Sequence, residues 1–234
     1  MVKFLAFVLL SFSAHASLEW KSIFISGDHS IANFDNGRKS LASLLAPLGA
    51  HQENSIHMTS ESKELSSRVY AATEANMAKA FMSLKVNPKT DGCLVFMTSH
   101  GSKNAGFYLS RSGILTPAKL GQMLKATCGD APTVVLISAC FSGQFLVPEM
   151  AGKNRIILTA ARNDRPSFGC SAATTYTYWD ECLIDNLPHS RTWSELSGGV
   201  KACISEKETR LGFDPSYPQA YFGDAVKDLP ILNR

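Results

Sequence analysis

Short apolar runs recur along the chain, and the residues between them follow a different period. Residues 22–26, 55–58, 93–98, 133–138 and 155–160 are rich in Ile, Val, Leu and Phe. The later runs are almost continuous in apolarity, the pattern of strands covered on both faces. Between them, Leu41, Leu44, Leu45 and Leu48 repeat at helical spacing. Leu65, Val69, Ala72, Ala80 and Leu84 predict a longer second helix. Leu120, Met123 and Leu124 predict a third, with Thr116 and Pro117 placed to start it. Trp193, Leu196, Val200 and Ile204 mark a late helix. Strands alternating with helices predict right-handed βαβ units: an α/β fold with a mostly parallel central sheet flanked by helices. A short hairpin is expected after Gly101, through "GFYLS" and "GILT".

Two of the apolar runs stop abruptly at small and polar residues. "CLVFMT" leads into Ser99, His100 and Gly101, and "TVVLIS" leads into Ala139, Cys140 and Phe141. In parallel sheets, the loops at the carboxyl ends of the strands carry the ligands. His100 and Cys140 therefore stand at the same rim. A thiol beside an imidazole makes a thiolate nucleophile with a general acid at hand. The backbone N–H groups of Gly101 and Cys140 are placed to form an oxyanion hole. Ala139, Ser142 and Gly143 leave the thiol accessible at a tight turn. Taken singly, a cysteine after a strand is more often a small core residue, and a histidine there a hydrogen-bonded structural one.

Composition narrows the class. The 234 residues are 45% hydrophobic and carry a formal net charge of +3, enough for one domain with a sizeable core. No Lys/Arg cluster stands out, so nucleic acid is not an expected partner. Lys3, the apolar stretch of residues 4–12 and Ala14-His15-Ala16 fit a secretory signal peptide cleaved after Ala16. Residues 17–234 would then form the folded domain, secreted or periplasmic. No later segment is long and apolar enough for stable membrane insertion. Export permits disulfides among the six cysteines. No cysteine lies at zinc-ligand spacing from a histidine, so neither a metal nor another cofactor is expected. Cys93 opens its strand, and Cys128 closes the helix leading to the next one. Both fall at the rim opposite Cys140, so a Cys93–Cys128 bridge is expected. Cys170, Cys182 and Cys203 leave three further pairs open.

The "SHG" and "SACFSG" strand ends, in that order, resemble those of the legumain-like cysteine peptidases. "GDHSIANFDNGRKSL" is similar to that family's first strand end and first helix. "LTAARNDRPSFGCS" is similar to its next strand and substrate loop. "TYWDECL" and "PQAYFG" look closest to bacterial secreted members. The resemblance spans roughly residues 20–225 and implies a caspase-like three-layer sandwich. It also implies peptidase activity on peptide or protein substrates, with His100 and Cys140 as the catalytic pair and Asn33 orienting the histidine. An Asx turn is the alternative for Asn33. Asparagine-specific legumains place an Arg where this chain has Asp35 and an acid where it has Ser138. Their third pocket residue, an Asp, falls near Thr174. Asp35 and Ser138 are thus the candidate substrate-binding positions, and a lone acid there would favour Lys or Arg before the scissile bond. Helix capping by Asp35, or inward rotation of Arg38, competes with that role. A transamidase using the same acyl-enzyme, and an inactive caspase-like binding module, are the rival functions.

Overall fold

The protein is described here by a computed structural model covering residues 17–233. Residues 1–16, expected from the sequence to be a signal peptide, lie outside the described residues. The chain runs β1 (Glu19–Ser26), α1 (Asn33–Leu45), β2 (Ser55–Thr59), β3 (Val69–Ala71), α2 (Glu74–Ser83) and β4 (Asp91–Thr98). A small unit follows: β5 (Gly101–Ser102), β6 (Gly106–Leu109) and β7 (Gly113–Leu115). Then come α3 (Pro117–Thr127), β8 (Thr133–Ser138), β9 (Arg155–Thr159), α4 (Tyr178–Asn186), α5 (Trp193–Leu211) and β10 (Gln219–Phe222).

The described residues form a seven-stranded sheet in the order β10-β9-β8-β4-β1-β2-β3, parallel except where β10 runs antiparallel to β9. Strand alternation splits the core into two layers. Trp20, Phe24, Leu94, Phe96, Val134 and Leu136 face α1, α4 and α5. Ile23, Ile25, Val95, Met97, Val135 and Ile137 face α2, α3 and the hairpin unit. The central strands are buried on both sides, which is why they read as unbroken apolar runs.

Local chemistry starts the helices where the polar residues allow. Thr116 accepts from the backbone N–H of Lys119, with Pro117 at the first helical position of α3. Thr192 and Glu195 form a reciprocal capping box at α5. The long second helix expected from Leu65 to Leu84 is not formed. Val69–Ala71 is instead the edge strand β3 beside β2, and Leu65 is exposed. The physical reason is local. Val69 and Tyr70 suit a strand, and the Thr73 hydroxyl accepts from Asn76 N–H, restarting the chain as α2. Strands β3 and β10 are short edge strands that the apolar pattern alone does not mark.

Two disulfides pin the sandwich. Cys93–Cys128 joins the start of β4 to the end of α3, with Cα atoms 5.9 Å apart. Cys182–Cys203 joins α4 to α5, with Cα atoms 5.8 Å apart. Cys140 and Cys170 are free thiols.

Candidate active site

Strand register answers why two apolar runs deliver one reactive side chain each. β4 and β8 are parallel neighbours, with Thr98 opposite Ser138. Pairing continues one residue further through a bond from Ser99 N–H to the Ser138 carbonyl, 3.0 Å. His100 and Cys140 each lie two residues beyond that matched pair, on strands that neighbour at about 4.8 Å. Gly101 lies so close to Cys140 that a Cβ there would fall 1.8 Å from the Cys140 carbonyl oxygen. Only glycine lets these two backbones meet.

The turn after Cys140 is tight. Phe141 adopts a left-handed φ of 57°, a conformation that a large side chain enters only when its surroundings impose it. Those surroundings are specific. Phe141 N–H donates to the Arg165 carbonyl at 2.8 Å, and Gly143 N–H donates to the Ala161 carbonyl at 2.7 Å. The chain thus bends sharply at the end of β8, stitched to the segment that follows β9, and leaves Cys140 half-buried at the rim.

Among the described residues, the thiol's hydrogen-bond partners are on Ser167. Ser167 N–H lies 3.3 Å from Sγ, its carbonyl 3.4 Å and its hydroxyl 3.6 Å. The loop that follows β9 therefore touches the Cys140 sulfur directly. His100 sits edge-on against Phe34, with ring centroids 5.0 Å apart. Its Nε2 lies 3.7 Å from Oδ2 of Asp28, a buried carboxylate just past the end of β1.

Asn33 is buried at the start of α1, and its amide nitrogen is committed elsewhere. It donates to the Gly169 carbonyl at 3.0 Å, the Thr174 carbonyl at 2.9 Å and the Thr174 hydroxyl at 2.7 Å. These bonds fasten the loop of residues 169–174 to α1. Asn33 and Thr174, read from the sequence as separate site positions, are thus direct partners.

Asp35, expected from the sequence as a substrate-binding position, is already paired within the fold. Asp35 points between the ends of β1 and β2, accepting from Ser26 and Thr59 hydroxyls at 2.9 and 2.8 Å. Arg38 Nε donates to it at 2.9 Å, and Lys39 Nζ lies 3.0 Å away. Burial works against the charge, but these cations and the Thr59 hydroxyl hold the carboxyl well below the usual carboxylate range. It does not cap α1, since it occupies the first turn rather than the N-cap. This carboxylate thus has two cationic partners and faces the ends of β1 and β2, on the far side of β4 from Cys140. Arg38 also reaches His57 Nδ1 at 3.1 Å. Burial, then the Arg38 charge, pushes His57 down to about 4, so it serves as a neutral acceptor.

Ser138, two residues before Cys140, is buried and shares a hydrogen bond with the Thr177 hydroxyl, 3.1 Å. Next to that pair lies Asp180, which the sequence reading passed over. Thr98 donates to its Oδ2 at 2.7 Å, while Oδ1 is buried with no hydrogen-bond partner. Burial pushes Asp180 up to about 6. The carboxylate directly under the strands that bear His100 and Cys140 is thus Asp180, not Asp35. Cys170 follows the Ser167 loop, and burial pushes its thiol up to about 12, with Cys140 and Asp180 adding to the effect. Among the described residues, no group of three or more His, Cys, Asp or Glu is arranged to hold a metal ion. Asp28 had a legible signal, an acid immediately after the first strand and so at the same rim as His100. Asp180 had none, because its place depends on how α4 packs.

Comparison with known proteins agrees with this architecture. The model of the peptidase C13 family matches residues 61–225. A crystal structure of caspase-1 from Spodoptera frugiperda superposes with a TM-score of 0.64 at 14% sequence identity, covering 89% of this chain and 88% of that one. At that identity the likeness concerns the fold alone. A search of curated proteins returned no match.

Proposed function

The chain belongs to the peptidase C13 family, and from that premise we propose that it hydrolyses peptide bonds with Cys140 as nucleophile and His100 as general acid–base. Family and fold are those of a cysteine peptidase acting on protein substrates. The observation that carries the residue assignment is the β4–β8 register, which sets His100 and Cys140 at equal height on adjacent strands. In the proposed reaction, His100 takes the Cys140 proton as sulfur attacks the scissile carbonyl. The tetrahedral oxyanion is received by the N–H groups of Gly101 and Cys140. The imidazolium then protonates the departing amine, the C–N bond breaks, and a thioester remains. Water adds to the thioester with His100 as base, releasing the acid and restoring the thiol. Substrate entry must displace the contacts between the sulfur and Ser167, which are weak hydrogen bonds.

Two disulfides support export to an oxidising compartment, in keeping with the signal peptide proposed for residues 1–16. Preference for Lys or Arg before the scissile bond remains part of the proposal, but Asp35 does not support it. Cleavage of matched Arg, Lys, Asn and Asp peptides tests that preference. For the chemistry itself, Cys140→Ala is expected to keep its melting temperature and lose all thioester formation, measured by mass spectrometry of trapped acyl-enzyme. His100→Ala is expected to cost about 10²-fold or more in kcat/KM. Parent-level peptidase activity in Cys140→Ala would overturn the assignment.

A further inference from the structure

The family resemblance implies Asn33 as the residue that orients His100, and the structure brings a second polar group to the imidazole. Asn33 spends its amide hydrogens on Gly169 and Thr174. Among the described residues, the ion-pair partner of the imidazole is the Asp28 carboxylate, at 3.7 Å from Nε2. We propose that Asp28 is the positioning residue of a Cys140–His100–Asp28 triad, resting on the peptidase reading above.

The fold holds Asp28 for this task. Its Oδ1 accepts from Ser30 N–H at 2.8 Å, which fixes the carboxylate in an Asx turn and leaves Oδ2 for the histidine. Its side chain is only 7% exposed, so water screens the pair poorly. The hairpin unit then ties both partners into one body. Tyr108 N–H donates to the His100 carbonyl, and Ser110 N–H donates to the Gly27 carbonyl, each at 2.9 Å. Gly27 must be glycine for this to happen, since a Cβ would fall 2.5 Å from the Tyr108 carbonyl oxygen and 2.7 Å from the Phe107 ring. Phe34 closes another side of the imidazole. The other titratable group near Asp28 is His29, 3.9 Å from Oδ1 but 53% exposed and hydrogen-bonded to Ser110.

The chemistry follows from which ring nitrogen meets the acid. A carboxylate can only accept, so Oδ2 selects the tautomer with hydrogen on Nε2. Nδ1 then carries the lone pair that takes the thiol proton. When it does, the imidazolium forms beside a buried negative charge. The separation of 3.7 Å is that of a resting pair; such bonds shorten when substrate closes the site.

Asp28→Asn separates this role from a purely structural one, because asparagine keeps the Asx-turn acceptor but loses the charge and can donate to Nε2. The expected result is a fall in kcat of about 10²-fold with KM nearly unchanged and an unaltered melting temperature. Asp28→Glu is expected to recover part of the loss. Independently of activity, 15N spectra of the full chain at alkaline pH, with the His100 signal assigned by His100→Gln, report the tautomer. The parent is expected to show hydrogen on Nε2, and Asp28→Asn to shift population to Nδ1. An unchanged tautomer, or a kcat within threefold of the parent, would overturn the proposal. Should the parent itself fail to cleave peptides, the peptidase reading falls while the tautomer comparison still decides the role of Asp28.

Discussion

At the scale of the residue, burial decides what each acid does. Asp35 and Asp180 are both buried carboxylates in the first turn of a helix, yet their surroundings differ. Asp35 has Arg38 and Lys39, whereas Asp180 has hydroxyl partners and one unpartnered oxygen. For Asp180 the pKa rises from an ordinary carboxylate value to about 6. Between about pH 4 and that value, the folded protein keeps a proton that the unfolded chain has released. The unfolded state then binds fewer protons, so stability falls as pH rises through this window. The full loss is on the order of 3 kcal/mol, reached above the folded pKa. Asp180→Asn is expected to remove that slope, as read from urea unfolding at a series of pH values. An identical slope in parent and variant would count against a raised pKa at Asp180. From sequence, Asp35 was a candidate substrate-binding acid and Asp180 carried no signal. The difference lies in which neighbours the fold turns toward them.

At the scale of the element, helix α5 carries two adjacent glycines with opposite duties. A Cβ on Gly198 would meet nothing within 4 Å, whereas on Gly199 it would lie 2.5 Å from the Asn186 side-chain oxygen. Asn186 cannot swing away freely, since its amide donates to the Cys182 carbonyl at 2.8 Å. Gly199 is therefore the contact that lets α5 close on α4. Gly198→Ala is expected to stabilise the protein by about 0.5–1 kcal/mol through helix propensity. Gly199→Ala is expected to lose stability despite the same propensity gain, because overpacking outweighs it. Denaturant midpoints of the two variants check this, and a gain in both would show that the helix pair is not close-packed there. Helices with a clear apolar stripe, such as α1 and α5, could be read in advance. Residues 65–71 could not, since their apolar spacing suits a helix while the edge of β2 draws Val69–Ala71 into β3.

At the scale of the whole molecule, the two disulfides brace different parts of the sandwich. Cys93–Cys128 closes a sequence separation of 35 residues at the rim opposite Cys140, and Cys182–Cys203 closes one of 21 between α4 and α5. Loop-closure entropy gives each about 3–4 kcal/mol. Replacing either pair by alanines is expected to lower the melting temperature by on the order of 10 °C. Loss of Cys93–Cys128 should leave the room-temperature rate intact, because β4 is clamped along its length by β1 and β8. A fall of under 2 °C, measured by scanning calorimetry, would mean that the unfolded chain is already compact without the bridges.

The sequence by itself determined the layered α/β architecture, because burial on both faces forces unbroken apolar runs and flanking helices impose their own period. It also determined that His100 and Cys140 share a rim, since parallel strands all end on one side. It placed Cys93 and Cys128 at the other rim by the same logic. Tertiary structure alone decided the electrostatics of the site. Asp28, Asp35, Arg38 and Asp180 are ordinary charged residues along the chain. Only packing across β1, β2, α1 and α4 sets which of them are paired, which are left without a cation, and which faces the histidine. Charge interactions depend on separation and on excluded water, and neither is written in local residue order.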